Sequence, residues 1–263
     1  MKEEHGRRLI VITGGGSGIG RATAILCAQR GDCVAIMDKD DEAARSAAEE
    51  ALHAGAGDAL GLACDVSREE EVAASFALIR ERLGAPYGVF ANAGIDVGGM
   101  IHEMPLATWK HIVDTNLTGI FLTCKHGLRQ MLEAQVSGTI VCTSSPAGFI
   151  AMAGGACGAY SATKGAISSL VRCMAIDYAR FGIRVNAVAP GATETAMMWN
   201  NVALQEREAM RDQLCREIPL GRLAKAEDPA RIVAWMLSEE TAYMTGSHVI
   251  CDGGILAKGS ISV

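Results

Sequence analysis

The amino-acid sequence predicts an α/β fold, a doubly wound sheet of about seven parallel strands with helices on both faces. Short apolar runs alternate with longer helix-forming segments along the chain, which is the order that repeated βαβ units produce. A glycine-rich turn joins the first apolar run to the first helix, and polar residues directly follow several other runs. Because no break in composition divides the 263 residues, we expect one domain over residues 1–263.

Seven apolar runs are predicted to be the strands. The first, Leu9-Ile10-Val11-Ile12, is apolar at every position, which is typical of a strand that is covered on both faces. In chain order the predicted strands are residues 9–12, 33–37, 60–64, 88–91, 138–142, 185–189 and 249–251.

The segments between these runs are predicted to be helices. They comprise residues 22–29, 41–54, 67–82, 107–134, 160–179 and 228–237. Ser67-Arg68-Glu69-Glu70 fits a capping box at the start of the third helix. Residues 196–225 lack clear periodicity, and two interpretations stay open. One is a flexible flap over about residues 194–225, in which Met and Trp side chains close over a ligand; the other is an ordinary pair of packed helices.

Composition argues against several classes of protein. The net charge of −6 and the lack of a basic tract make nucleic acid an unexpected partner. No apolar run is long enough to cross a bilayer, and the charged residues 1–8 run directly into the first strand, so we expect a cytoplasmic protein without membrane contact. The nine cysteines include no Cys-x-x-Cys pair and are expected to be buried, reduced thiols rather than metal ligands.

The turn after the first strand is predicted to bind a phosphate. Glycines at 14, 18 and 20 let the backbone turn sharply and let an anion approach its N–H groups, while the next helix directs its positive end to the same point. Asp38 ends the second strand eighteen residues after Gly20, where a carboxylate can accept hydrogen bonds from ribose hydroxyls. The order of strand, turn, helix, strand and acid predicts a Rossmann-like dinucleotide site. The alternative is a glycine-rich turn beside a solvated surface acid.

Polar residues at other strand ends extend this site. Asp65 follows the third strand and could bond an adenine amino group, or could be a loop acid near the next helix start. Asn92-Ala93-Gly94 follows the fourth strand, where small residues would admit the cofactor or a neighbouring loop. Ser145 follows the fifth strand. Asn116 lies inside a predicted helix, where Asn is usually solvated or packed.

Tyr160 and Lys164 are predicted to share one face of a helix, because they are four residues apart. A phenol with a pKa near 10 is a poor base at neutral pH, and an adjacent ammonium favours its ionised form. Lowering that pKa by about three units takes about 4 kcal/mol, which the lysine could supply with help from a cationic nicotinamide ring.

Taken together, these residues resemble the short-chain dehydrogenase/reductase family from about Leu9 to Gly254. Thr13-Gly-Gly-Gly-Ser-Gly-Ile-Gly20, Asn92-Ala93-Gly94 and Tyr160-Ser-Ala-Thr-Lys164 look like three of its motifs. The resemblance implies a catalytic tetrad. In it Tyr160 exchanges the hydroxyl proton, Ser145 bonds the substrate oxygen, Lys164 lowers the tyrosine pKa and holds the nicotinamide ribose, and Asn116 supports a water relay. The implied cofactor-binding residues are Gly14, Ser17, Gly18, Ile19, Gly20, Asp38, Asp65, Val66, Asn92, Ala93, Gly94, Tyr160, Lys164, Pro190, Gly191, Thr193 and Thr195.

Two departures from the family pattern concern the pocket. The family commonly places its serine thirteen residues before the tyrosine, where this chain has Ala147, whereas Ser145 is fifteen before. A two-residue insertion within Ala151–Ala159 would reconcile the two and reshape the pocket wall; we prefer Ser145 to Ser144. Thr193 stands where an aliphatic residue is common.

The leading hypothesis is an oxidoreductase that transfers a hydride between NAD and a secondary alcohol or ketone. Asp38 favours NAD because its charge would repel the 2′-phosphate of NADP, although Arg21 and Lys39 nearby weaken that argument. Alternatives are an epimerase or dehydratase that holds NAD tightly, and a protein that only senses NAD. The resemblance also implies a homotetramer or dimer.

Overall fold

In a computed structural model of the protein, the described part of the chain, residues 8–152, 154–200 and 202–258, forms one seven-stranded sheet. All strand pairs are parallel, and the strand order is β3-β2-β1-β4-β5-β6-β7. The strands are β1 (Leu9–Thr13), β2 (Cys33–Asp38), β3 (Ala59–Ala63), β4 (Gly88–Ala91), β5 (Thr139–Thr143), β6 (Arg184–Pro190) and β7 (His248–Cys251). The predicted fold class is confirmed, and each strand boundary lies within two residues of its prediction.

Helices cover both faces of this sheet. They are α1 (Gly18–Ala28), α2 (Asp41–Ala54), α3 (Glu69–Leu83), α4 (Leu106–Val113), α5 (Gly119–Glu133), α6 (Gly158–Ala179), α7 (Ala196–Trp199), α8 (Arg207–Glu217) and α9 (Glu227–Met236). Alternate residues of β1 enter different cores, with Val11 in the core that contains α3, α5 and α6 side chains and Ile12 in the core of α1, α2 and α9. This is why the strand is apolar at every position.

The strand order places a crevice at the carboxyl ends of the central strands. β1 pairs with β2 on one side and with β4 on the other, so the chain runs outward in opposite directions from β1. In open α/β sheets ligands bind at such a switch point. The glycine turn, Asp38, Asn92 and Ser145 all follow strands at this edge.

Three helix predictions are wrong in detail. The capping box does not form: Arg68, not Ser67, is the N-cap of α3 and makes no side-chain cap, and the Ser67 hydroxyl donates to Asp65 Oδ1 at 2.6 Å. The helix predicted over residues 107–134 is interrupted, since Asp114–Thr118 form a π-helical turn between α4 and α5. Helix α1 begins at Gly18, inside the turn, rather than at Ala22.

Residues 196–225 contain α7, α8 and a small separate core. Trp199, Ile218 and Leu223 are its buried members. The segment therefore contains helices and buried side chains, and its closure over a ligand stays a prediction. Asn201, which falls within the predicted flap, lies outside the described residues, as do Ala153 in the predicted insertion and most of the charged segment 1–8.

The described residues contain no helix that is both long and apolar enough to cross a membrane. All nine cysteines are free thiols, but only Cys27, Cys64, Cys124 and Cys142 are buried, and Cys173 is exposed. Across the same residues no group of three or more His, Cys, Asp or Glu side chains is placed to hold a metal ion.

Candidate active site

The turn between β1 and α1 requires glycine for two reasons. Two of its residues have positive φ angles, and a side chain at a third would clash with the backbone. Gly14 and Gly18 have φ angles of +62° and +52°. A Cβ on Gly20 would lie 2.2 Å from the Gly14 carbonyl oxygen. Ser17 is the N-cap of α1 but makes no side-chain cap, and no acid lies in the first turn. The first backbone N–H groups of α1 therefore have no side-chain cap and no acidic side chain in the first turn, so the site suits a phosphate.

Asp38 is held beside this turn by two backbone donors. Its Oδ2 accepts from Gly16 N at 2.9 Å, and its Oδ1 accepts from Asp40 N at 3.1 Å. The guanidinium of Arg21, on α1, donates through two nitrogens to Glu50 on α2. The carboxylate of Asp38 is therefore positioned at the end of β2, while the nearby Arg21 forms an ion pair with Glu50.

Asn92 fastens the ends of three strands. Its Nδ2 donates to the carbonyl oxygens of Thr13 and Gly14, both at 3.2 Å, and its Oδ1 accepts from the Thr143 hydroxyl at 3.1 Å. A Cβ on Gly14 would lie 2.9 Å from Ala93 Cα. The small residues after β4 thus admit a neighbouring loop, which was one of the two sequence interpretations.

Asn116 is completely buried in the π-helical turn and holds the loop that follows β4. Its Oδ1 accepts from Ile95 N at 2.7 Å, and its Nδ2 donates to Ile95 O at 2.8 Å. A Cβ on Gly94 would lie 3.2 Å from Asn116 Oδ1, so only glycine leaves room for this contact. The sequence identified the residue but not the π turn, a feature that often marks functional sites.

Tyr160 and Lys164 share one face near the start of α6, as predicted. Lys164 is buried, and its Nζ donates to the carbonyl oxygen of Thr143 at 2.8 Å. The same Nζ lies 5.4 Å from the centre of the Tyr160 ring. The end of β5 therefore holds the ammonium beside the tyrosine.

Ser145, not Ser144, reaches this pair. The Ser145 hydroxyl accepts from Ala147 N at 3.2 Å and hydrogen-bonds to the Tyr160 side chain. The Ser144 hydroxyl instead lies 3.2 Å from the Lys164 carbonyl oxygen and 3.1 Å from the Ser168 hydroxyl, within the packing of α6. Ala147 brings only a backbone N–H to the site.

Without a cofactor, the surroundings of Tyr160 hold its pKa above the ordinary value. Burial raises the pKa of Tyr160 to about 12; the hydrogen bond from Ser145 opposes this, and the charges of Asp96 and Cys157 add to it. Burial also lowers the pKa of Lys164 to about 8. Desolvation disfavours both charged forms, and the lysine by itself does not overcome it. The sequence prediction combines Lys164 with a cationic nicotinamide ring, and that combined effect on the pKa of Tyr160 stays a prediction.

The loop after β6 approaches the glycine turn. Pro190 ends the strand, and Gly191 N donates to Cys251 O at 2.9 Å. Thr193 is buried, and its hydroxyl donates to Gly191 O at 3.0 Å. A Cβ on Gly18 would lie 3.1 Å from the Thr195 methyl group, so Thr195 stands directly over the start of α1.

Three other predicted cofactor residues have structural partners. Asp65 Oδ1 accepts from Ser67 N and Oγ; burial raises the pKa of Asp65, but these bonds outweigh it and the net shift is downward. Val66 is buried against α5, where a Cβ on Gly119 would lie 2.6 Å from Val66 Cγ2. Ile19 packs against the core that contains Ile10 and Ile12.

An apolar cleft is lined by residues that lie between Ser145 and Tyr160 in the chain, and by Ser161. It has a volume of about 420 Å³ and is lined mainly by the segment that contains the apparent insertion. Its lining residues include Ala147, Phe149, Ile150, Met152, Cys157 and Ser161. A second cleft has a volume of about 430 Å³, and its lining includes Met100 and Ile101. Gly99 and Ala156 also line it, and Gly99 N donates a hydrogen bond to Ala156 O.

Sequence reasoning missed three residues of this site. The Thr143 carbonyl orients Lys164, and the Thr163 hydroxyl, which donates to Tyr160 O at 2.7 Å, lies 3.5 Å from Asn116 Nδ2. The Asp96 carboxyl interacts electrostatically with both Tyr160 and Lys164. An acid two residues beyond Gly94, at a strand end, was the available signal.

Comparison with known proteins gives consistent matches over nearly the whole chain. A family model described as Enoyl-(Acyl carrier protein) reductase matches residues 14–256. The chain is 37% identical to a 2,5-dichloro-2,5-cyclohexadiene-1,4-diol dehydrogenase of Sphingobium indicum, over 95% of this chain and 97% of that one. A short-chain type dehydrogenase/reductase from Mycobacterium marinum is similar in structure, with a TM-score of 0.88, 32% identity and coverage of 94% and 95%. An actinorhodin polyketide ketoreductase with NADPH gives a TM-score of 0.89 at 30% identity, covering 96% and 98%.

Proposed function

Because the chain belongs to the short-chain dehydrogenase/reductase family, we propose that it transfers a hydride between NAD(H) and a secondary alcohol or ketone. The observation that carries this proposal is the hydrogen-bonded pair of Ser145 and Tyr160, with Lys164 beside it, at the same sheet edge as the glycine turn. A proton-transferring phenol and a dinucleotide site at one crevice are what alcohol oxidation requires. The chain segment between Ser145 and Tyr160 lines an apolar cleft.

The residues at the sheet edge fit a dinucleotide. The start of α1, with no side-chain cap and no acid in its first turn, suits the pyrophosphate, and Thr195 stands over it. Asp38 suits the adenosine ribose, and Lys164 the nicotinamide ribose. When bound, the nicotinamide ring supplies the carbon that accepts or gives the hydride.

In alcohol oxidation we assign the proton transfer to Tyr160. Its phenolate takes the proton of the substrate hydroxyl as the hydride leaves the carbinol carbon, and in ketone reduction the phenol returns a proton to the oxygen. The Ser145 hydroxyl hydrogen-bonds the same substrate oxygen. Lys164 opposes the high pKa of the phenol only with help from further positive charge, because burial holds that pKa at about 12. Asn116 keeps the loop after β4 in place.

We propose NAD rather than NADP as the cofactor. We expect the Asp38 carboxylate to lie close to the 2′-phosphate of a bound NADP, and like charges repel. Of the two nearby cations, Arg21 and Lys39, Arg21 is paired with Glu50. Asp38→Ala is expected to lower the ratio of kcat/KM for NAD to that for NADP by tenfold or more. An unchanged ratio, or equal use of both cofactors by the unaltered protein, would contradict this assignment.

Three further properties are proposals, of which the assembly follows from the resemblance and the others from the sequence pattern. We propose one domain in which residues 194–225 close over the substrate as a flap, a homotetramer or dimer, and a cytoplasmic location. Light scattering of the purified protein tests the assembly. Protease cleavage within residues 194–225, measured with and without NAD and substrate, tests the flap.

The activity is tested by absorbance at 340 nm with NAD and NADP against secondary alcohols, polyols, hydroxysteroids and hydroxyacyl thioesters. An enoyl thioester, tested with NADH and NADPH, covers the reaction that the family model's description names. Tyr160→Phe is expected to reduce kcat by roughly 100-fold or more while NAD binding persists. Tyr178→Phe, on the same helix but packed in the core beside Phe181, is the matched control. Full turnover by Tyr160→Phe would overturn the mechanism.

A further inference from the structure

The segment between Ser145 and Tyr160 carries apolar side chains that the proposed reaction does not use. Phe149, Ile150 and Met152 all line the apolar cleft, and each is between 36% and 45% exposed. Large apolar side chains that stay partly in water at one concave site leave surface for a ligand to cover. The cleft volume of about 420 Å³ is in the range of small-molecule sites.

The lining of this cleft is connected to both reacting side chains. Ala147 lines the cleft and donates its backbone N–H to the Ser145 hydroxyl at 3.2 Å. Cys157 and Ser161, three residues before and one residue after Tyr160, also line it, and the Ser161 hydroxyl donates to Cys157 Sγ at 3.4 Å. A substrate whose hydroxyl meets Ser145 and Tyr160 therefore has this cleft beside it for the rest of the molecule.

The second cleft extends this apolar surface to the loop after β4. The two clefts share Ala156 and Gly158 in their linings. The bond from Gly99 N to Ala156 O, at 2.7 Å, joins the two loops. A Cβ on Gly158 would lie 2.8 Å from Ile101 Cδ1, so the Ile101 side chain packs against the start of α6. Met100 and Ile101 are both exposed, and they continue the apolar wall.

Charged side chains do not contribute to either lining. Among the described residues that line the two clefts there is no Asp, Glu, Lys or Arg, and the one imidazole is that of His102. His102 is itself exposed, and its Nε2 lies 3.5 Å from Glu103 Oε1. An anionic group in these clefts would lose water without gaining a cation, which disfavours its binding. A neutral apolar group gains by leaving water there.

We propose that Phe149, Ile150 and Met152 select the substrate by holding its apolar part, so that the protein acts on neutral secondary alcohols with an extended apolar group in preference to short alcohols and hydroxy acids. The reacting hydroxyl meets Tyr160 and Ser145, and the apolar group lies in the cleft against the three side chains. This inference rests on the proposed function, because it takes those two hydroxyls as the reacting site. The three are specificity residues, which contact the substrate and transfer no proton.

The test compares kcat/KM for four alcohols, with the cofactor that the protein uses. These are racemic 2-butanol, 2-hexanol and 6-methyl-2-heptanol, and 5-hydroxyhexanoate, in which a carboxylate replaces the branched end of 6-methyl-2-heptanol. We expect 2-hexanol to exceed 2-butanol by roughly tenfold, since burying one methylene favours binding by about three- to fourfold. We expect 6-methyl-2-heptanol to exceed the hydroxy acid on the order of 100-fold, because the carboxylate is desolvated without a partner.

Two variants test the side chains themselves. Ile150→Arg places a cation at the cleft and should raise the ratio of kcat/KM for 5-hydroxyhexanoate to that for 6-methyl-2-heptanol by about tenfold or more. Ile176→Arg, at an exposed position of α6 outside both linings, is the matched control and should leave the ratio unchanged. Phe149→Ala should lower kcat/KM for 6-methyl-2-heptanol by roughly tenfold and that for 2-butanol by less than about twofold. Phe181→Ala, at a similarly exposed position, is its control.

The ratio between substrates separates this role from a purely structural one, because a loss of folded protein lowers every rate by the same factor. Equal kcat/KM values along the neutral series, a preference for 5-hydroxyhexanoate, or an unchanged ratio in Ile150→Arg would overturn the inference and leave the proposed hydride transfer standing. A change of the ratio in Ile176→Arg as large as in Ile150→Arg would also overturn it. No oxidation of any of the four alcohols would overturn both.

Discussion

Replacing Lys164 by Met is expected to abolish alcohol oxidation and, at neutral pH, to stabilise the folded protein. Lys164 is 2% exposed, and burial lowers the pKa of its ammonium from 10.5 to about 8. Each unit of that shift corresponds to about 1.4 kcal/mol, so holding the charge costs about 3 kcal/mol below pH 8. Met has a similar length and no charge. The substitution also removes the donor to the carbonyl oxygen of Thr143. Leaving that oxygen without a partner lowers the free energy of unfolding by about 1–3 kcal/mol. The expected net gain is about 1 kcal/mol.

The effect of Lys164→Met on the free energy of unfolding should change sign with pH. Because the pKa of this basic group is lower in the folded state, the penalty is complete below about pH 8 and declines as pH rises toward 10.5, where the unfolded chain also loses its proton. The advantage of Lys164→Met should therefore shrink between pH 7 and pH 10 and become a disadvantage. A purely structural role for the lysine would give the same difference at both values.

The assay is urea unfolding at pH 7 and pH 10 at one protein concentration, together with kcat/KM for an alcohol. Lys125→Met is the matched control, because Lys125 is exposed on α5 and its ion pair, with Glu69, is at the surface. It should change stability by less than about 1 kcal/mol at either pH. The reasoning would be refuted if Lys164→Met lowered the free energy of unfolding at pH 7 by more than about 1 kcal/mol. It would equally fail if the difference from the unaltered protein did not vary with pH.

Three other changes have defined outcomes. Gly20→Ala places a Cβ 2.2 Å from the Gly14 carbonyl oxygen, so we expect loss of NAD binding by calorimetry and a lower melting temperature; unchanged binding would show that the turn relaxes. Asn116→Ala leaves the N–H and carbonyl of Ile95 without their partners and should reduce the free energy of unfolding by roughly 2–4 kcal/mol in urea, with little effect expected if water replaces the amide. Because burial holds the pKa of Tyr160 at about 12, kcat/KM for alcohol oxidation should rise from pH 7 toward pH 10, and a flat profile would assign the proton to another group.

Much of the fold could be predicted because its signals are local. The residues of β1 are apolar at every position, and the helix α2 has the predicted bounds, Asp41–Ala54. Its N-cap Asp40 accepts from Ala43 N, and Gly55 ends it with a φ of +113°. Periodicity, caps and glycine conformations depend on neighbouring residues, so a sequence window contains them.

The capping box shows where a local signal fails. Ser67 has the spacing to cap α3, but the Asp65 carboxylate, two residues earlier, takes its hydroxyl. In a capping box the Ser67 oxygen would accept from a backbone N–H of the first turn, but α3 begins one residue too late for that, with Arg68 as its N-cap. The π turn around Asn116 has a similar cause, because the amide bonds to Ile95, which is 21 residues distant in the chain.

The sequence by itself determined the α/β class, the glycine turn with Asp38, and the shared face of Tyr160 and Lys164, since each depends on residue type and short spacing. The tertiary structure decided which serine hydroxyl meets the tyrosine, and that Asn92 holds three strand ends together. It also decided the protonation of Tyr160, because desolvation depends on atoms gathered from distant parts of the chain. A spacing can predict that an ammonium lies near a phenol, but only the packed structure determines how much water both have lost.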